Sequence, residues 1–153
     1  MSLDELARGA TDIVDAEVIA VHVTADTGRI ERVVSLRVVE RWKGAADAIV
    51  HVRLPGGTLG RTRTLVTGVP ALDEGARFVL FLDRGESGAH RVLGLHQGAW
   101  RVSASPRDGV LSVGPAPAGP VPAGRVTRGD GSRRSRRLDV FRQDVQALLE
   151  QAQ

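Results

Sequence analysis

Apolar residues recur at every second position through much of the first 113 residues, which is the period of half-buried β-strands. From Asp12 to Thr24, Val18 and Ala20 alternate with Ile19, Val21 and Val23, so both faces carry apolar groups. Ala25 to Gly28 reads as a turn, and Gly28 is free to take a positive φ. Ile30 to Trp42 is a second long strand, with Val34, Leu36 and Val38 on one face and Ser35 and Arg37 on the other. At ~3.3 Å per residue such a hairpin spans about 40 Å, so it must coil or bulge. Lys43 to Asp47 turns the chain into a third strand, Ile49 to Leu54.

The stretch from Leu54 to Leu82 organises the rest. Pro55 ends the third strand, and Gly56 and Gly57 permit sharp bends. Arg61 to Val66 alternates arginine with threonine and predicts an exposed edge strand. Gly68-Val69-Pro70 and the turn Asp73-Glu74-Gly75 lead into Arg77-Phe78-Val79-Leu80-Phe81-Leu82. This last run is apolar at successive positions, so it must be covered on both faces. Beyond the turn at Gly85 to Gly88, His90 to Leu95 returns with Val92, Leu93 and Leu95 as core candidates. Ala99 to Val102 and Val110 to Val113 form one more hairpin around Pro106 to Gly109.

Helices are predicted at both ends. Ser2 and Glu5 have capping-box spacing, and Leu3 and Leu6 would anchor the short helix they start. Leu138, Phe141, Val145, Leu148 and Ala152 form one stripe of an amphipathic helix, with Ser135 as its expected N-cap and Phe141 and Leu148 as docking residues. The order is thus a β domain over residues 1–113, a Pro/Gly- and Arg-rich linker over 114–134, and a docked helix over 135–153. The linker run GPAPAGPVPAG is expected to form neither ladder nor helix. Six to eight strands at short spacing, with a helix at each end, predict an antiparallel barrel or sandwich.

Composition narrows the chemistry. There is no cysteine, which excludes disulfides and thiolates, and aromatics are only 3% of residues, so the core must rest on Val, Leu, Ile and Ala. Lys43 is the only lysine among 21 basic residues, so the basic character is almost wholly arginine. No apolar run reaches the ~18 residues of a membrane helix. Met1-Ser2-Leu3 leads directly into polar sequence, and an exported location is expected only if a signal peptide preceded it; otherwise the chain is cytoplasmic.

Candidate sites are few. His22, His51, His90 and His96 lack helical zinc spacing, so no metal and no cofactor is expected. His22 and His51 lie on strands that could bring them together across a sheet. There is no nucleophile elbow, and Asp73 and Glu74 read as solvated turn residues. Gly56, Gly57 and Gly60 superficially resemble a phosphate loop, but a strand follows and no lysine is present. Gly56, Gly57, Thr58, Arg61, Arg63 and Pro70 are instead the candidate ligand-binding rim. Arg133, Arg134, Arg136 and Arg137 form a basic patch suited to phosphate or anionic headgroups. Arg128-Gly129-Asp130 is a three-residue match that carries little weight.

The runs LDELARGATDIVDAEVIAVHV, VVERWKG, VRLPGG, GVPALDEGARFVLFL and GLHQGAWRV resemble a family of exported bacterial domains of uncharacterised function. Those domains are similar in turn to the netrin-like and metalloproteinase-inhibitor barrels. The resemblance covers about residues 3 to 103 and implies a five-stranded OB-like barrel. The inhibitors' N-terminal cysteine has no counterpart here, so their chemistry does not carry over. The resulting expectation is mainly β, an antiparallel OB-like barrel with a short N-terminal and an amphipathic C-terminal helix. Its function would be a non-catalytic exported module binding a protein or cell-envelope component. The alternative is an OB-type nucleic-acid-binding protein, and a hydrolase built on His22, His51 or His96 ranks last.

Overall fold

The computed structural model describes residues 1–26, 28–85, 89–116, 118–119 and 135–151. Helix α1 (Leu3–Gly9) starts on a complete capping box: the Ser2 hydroxyl accepts from the Glu5 N–H, and the Glu5 carboxylate accepts from the Ser2 N–H. Two turns of helix do not hold alone. Leu6 and Ala7 are buried beneath it, and Lys43 Nζ donates to the carbonyls of Ala7 (3.0 Å) and Arg8 (3.3 Å). The single lysine thus caps the negative end of the helix.

The strands that follow are β1 (Asp12–Asp26), β2 (Arg29–Lys43), β3 (Ile49–Pro55), β4 (Gly57–Leu59), β5 (Thr62–Thr64), β6 (Val69–Pro70) and β7 (Arg77–Arg84). After them come β8 (His90–Val92), a 3-10 turn at Leu95–Gly98, β9 (Ala99–Ala104), β10 (Leu111–Pro115), β11 (Ala118–Gly119), β12 (Arg136–Arg137) and helix α2 (Leu138–Gln151). The protein is mainly β. Strands β1, β2, β3, β8 and β7 close into a five-stranded OB-like barrel, because β7 pairs back on β1 from Asp12↔Leu82 to Glu17↔Arg77. All of these pairings are antiparallel except the single parallel bridge Val52↔His90, where the wall is thinnest.

The long β1–β2 hairpin bends as its length requires. Its register shifts between Ile13 and Val14, Asp15 and Ala16, and Val18 and Ala20. Past Glu17, where β7 begins, the edge of β1 is covered by a loop: Val18 N–H donates to the Ala76 carbonyl, and Val18 receives the Gly75 N–H. Inside the barrel lie Val14, Ala16, Val18, Val34, Leu36, Val52, Leu54, Phe78, Leu80 and Leu82. The other face of β7 builds a second core, in which Val79 and Phe81 meet Leu6, Ile13, Trp42, Trp100, Phe141 and Val145. Helix α2 docks there, its Phe141 ring edge-on to Phe81 and 4.9 Å between centroids from Trp100.

At the lower mouth, next to α1, Asp12 is buried. Its Oδ2 accepts from Thr11 Oγ1 (3.1 Å) and lies 3.2 Å from His90 Nε2, with the Arg84 guanidinium 3.9 Å away. Gly44 turns over this plug at φ +84°, where a Cβ would come within 2.3 Å of Asp12 Oδ1 and 2.6 Å of the Thr11 carbonyl.

Four expectations are corrected. Leu95 is not core: Gly94 and Leu95 both take positive φ, which breaks the strand after Val92 and leaves Leu95 exposed. The run after Val113 does build ladders, because β10 carries Gly114 and Pro115 along β9, and Ala118–Gly119 pair with Val69–Pro70. Proline is accommodated there at the last paired position of the strand. Arg61 to Val66 is not one strand; Thr62–Thr64 folds back on Gly57–Leu59 as a hairpin. Ser135 does not cap α2, which starts at Leu138 after the short strand β12.

Two stability tests follow. Phe81→Asp removes about 3–5 kcal/mol of packing and adds a carboxylate with no buried partner. That consumes most of the ~5–15 kcal/mol a domain holds, so the variant should lack a cooperative thermal transition; an unchanged Tm would refute the double-sided role of β7. Asp12→Ala leaves His90 without its carboxylate, while Thr11 Oγ1 keeps the Leu82 carbonyl at 3.2 Å, and should cost about 1–3 kcal/mol by chemical denaturation, with Asp12→Asn costing less.

Candidate binding cleft at the upper barrel mouth

The opposite mouth is built differently. Here β3 ends at Pro55, and Gly56 donates its N–H to the Ile30 carbonyl while holding φ +90°. A Cβ on Gly56 would meet the Thr64 carbonyl at 2.9 Å, so the β4–β5 hairpin folds back over this residue only because it is glycine. Gly57 sits at φ +142° over the side-chain stems of Arg32, Ile30 and Val23, each 3.3–3.4 Å from where its Cβ would be. Both glycines are thus fixed by backbone geometry and close neighbours, and a Cβ is strained at either.

Between this hairpin and β6 lies a cleft of about 220 Å³. Gly56, Gly57, Thr58, Arg63 and Pro70 line it, together with Arg32, Leu65 and Val66; Arg61 does not, being displaced into the turn at the hairpin tip. Two glycine-rich loops well separated in sequence therefore share one concavity. Arg32 was missed by sequence reasoning, although a signal existed: stepping back two residues from Val34 places it on the inward face of β2.

Arg32 is unusual among the charged groups. Its Nε is buried with no hydrogen-bond partner among the described residues, and no carboxylate stands within ion-pair distance. Burial pulls its pKa below the ordinary arginine value, and the charge of Asp73 only partly opposes this. Arg77 shows the contrary case. Its Nε and one terminal nitrogen bind both oxygens of buried Asp15 at 2.8 and 2.6 Å, and that hydrogen bonding raises its pKa against the effect of burial.

The other candidates do not assemble as expected. His22 lies opposite Val33, and His51 opposite Ser35, so β2 separates the two histidines. His51 Nδ1 is 3.0 Å from Ser35 Oγ, but no carboxylate orients the ring, and the pair reads as a cross-strand contact. His90 meets an acid, Asp12, in the lower-mouth plug. Within the basic patch, Arg133 and Arg134 lie outside the described residues. Arg136 is paired with Asp144 and stacked on Phe141, and Arg137 is paired with Asp139. Both pairs are at least partly exposed, so each arginine has an internal carboxylate partner at the surface of the fold. Among the described residues no cluster of three or more His, Asp or Glu could hold a metal, and no helix is long and apolar enough to cross a membrane.

Gly56→Ala should destabilise the protein by more than Gly60→Ala, because Gly60, at φ +60°, has nothing within 4 Å of its Cβ position. The Gly60 change costs about 1–2 kcal/mol of left-handed strain. The Gly56 change adds a backbone clash and should also shift the Thr64 amide in NMR spectra; equal costs would mean the hairpin does not close on Gly56. Comparison with known protein families, with characterised proteins and with solved structures finds no match for this chain.

Proposed function

We propose that the protein is a non-catalytic binding module that captures a protein segment or a cell-envelope polymer at the upper mouth of its barrel. The observation that carries this reading is the convergence of the Gly56–Thr58 and Val69–Pro70 loops with Arg32 on one cleft. Elsewhere helices cover the outer face of β7, and Asp12 holds Thr11 and His90 at the lower mouth. OB-type barrels use the loops at one end of the barrel in the same way, as platforms held by a rigid wall. The likeness of the sequence to exported domains of netrin-like type supports a role outside the cytoplasm.

A nucleic-acid ligand fits less well. Single-stranded binders stack bases on aromatic side chains, and no aromatic residue lines this cleft. Four of the five aromatics, Trp42, Phe81, Trp100 and Phe141, are committed to the core beneath α2.

The test is capture from an envelope extract by the immobilised protein, in parallel with Thr58→Trp. Thr58 is exposed, so the indole fills the cleft without entering the core. A partner retained by the native protein and lost on Thr58→Trp supports the proposal. Capture that the substitution leaves unchanged overturns it.

A further inference from the structure

We infer that the cleft recognises an anionic extended chain, an acidic peptide in which carboxylates alternate with apolar side chains. The inference rests on the binding reading above and names the class of ligand that the same cleft would take.

The first support is charge. The cleft is lined by Arg32 and Arg63 and by two threonines, Thr58 and Thr64, with no Asp or Glu among its lining residues. Neither arginine has a carboxylate within 4.0 Å among the described residues. Elsewhere the fold is not short of such pairs, since Arg37 meets Glu17, Arg53 meets Glu31, Arg77 meets Asp15 and Arg142 meets Glu40. Arg32 and Arg63 thus bring two guanidiniums without a carboxylate partner to one concave surface.

The second support is desolvation. The stem of Arg32 is covered by Gly57, and its Nε is sealed from water without a partner. A cation held in that way is already stripped of part of its hydration, so an incoming carboxylate meets a pre-positioned charge and finds less water to displace. Arg63, exposed on β5, supplies a second, adaptable cation.

The third support is shape and polarity. The cleft also carries Leu65, 61% exposed and the most exposed large apolar side chain among the described residues, beside Val66 and Val69. An extended peptide places side chains alternately on two sides, so carboxylates can face the arginines while apolar groups cover Leu65. A polyphosphate chain offers nothing to Leu65, and a nucleic acid would need aromatic platforms that the cleft lacks.

The experiment compares two labelled peptides, one alternating Glu with Val and the other alternating Gln with Val, together with a single-stranded oligonucleotide. Each is titrated into the isotope-labelled full chain while backbone amides are followed by NMR. The inference expects the Glu peptide to shift the amides of Gly56, Gly57, Thr58 and Arg63, and its affinity to fall with salt. Arg32→Met and the surface variant Arg63→Glu should each weaken it about tenfold or more, with Arg107→Gln unchanged. Arg63→Glu keeps the test decisive should Arg32→Met not fold. Equal binding of the Gln and Glu peptides at these amides overturns the anionic inference and leaves the binding cleft standing. An oligonucleotide that shifts these amides while the Glu peptide does not overturns it in favour of nucleic acid. If no probe moves these amides, the inference falls, and the envelope capture with Thr58→Trp decides separately whether the cleft binds anything.

Discussion

The structure depends on one strand having to be buried twice. β7 carries Phe78, Leu80 and Leu82 on one face and Val79 and Phe81 on the other, all fully buried. A five-stranded barrel can cover the inner set only. The outer set would face water unless a second layer were supplied, and α1 and α2 supply it. The low aromatic content follows the same division of labour. Aliphatic side chains fill the narrow barrel interior around Phe78, and the four remaining aromatics bridge the wider gap between sheet and helices. α2 is thereby part of the fold, and its Arg136 and Arg137 are drawn into ion pairs with Asp144 and Asp139 as it docks.

The same requirement explains the Trp42-Lys43-Gly44 run. Trp42 packs in the outer core, Lys43 caps the carbonyl end of α1, and Gly44 turns with no Cβ over the buried Asp12. Three consecutive residues thus tie the end of β2 to the helix, to the outer core and to the start of β1. Asp12 completes the closure by holding Thr11 and His90 at the mouth of the barrel. With that end plugged by a satisfied polar cluster, the lower mouth has little unspent hydrogen-bonding capacity to offer a ligand.

Much of this was legible in the sequence because it rests on periods and caps. Continuous apolarity from Phe78 to Leu82 announced two covered faces, the Ser2/Glu5 spacing announced α1, and the length of Ile30 to Trp42 announced the bulges. What could not be read depended on left-handed backbone and on distant partners. Leu95 was placed in the core because the pattern VLGL continues an alternation, and only its positive φ after Gly94 expels it. The pairing of Arg136 was not legible, because nothing local shows that Asp144 lies one helical face away. The candidate rim residues Gly56, Gly57, Thr58, Arg63 and Pro70 were chosen as loop positions, and geometry alone brings them onto one cleft and sends Arg61 away from it. Arg32 was legible in principle, since the alternation from Val34 puts it on the inward face of β2.

A partly buried site is a costly place for a guanidinium, and Arg77 and Arg32 resolve the difficulty in opposite ways. Arg77 is held by both oxygens of Asp15, so its charge is neutralised and its position is part of the architecture. Arg32 has no such partner among the described residues, and Asp73 acts on it only at a distance. Removing Arg77 would leave Asp15 buried and unpaired, whereas removing Arg32 would strand no carboxylate at all. An arginine whose loss harms no internal partner contributes little to folding through its charge. The two arginines thus differ in kind, Arg77 held in an internal ion pair and Arg32 lining the cleft at the upper mouth.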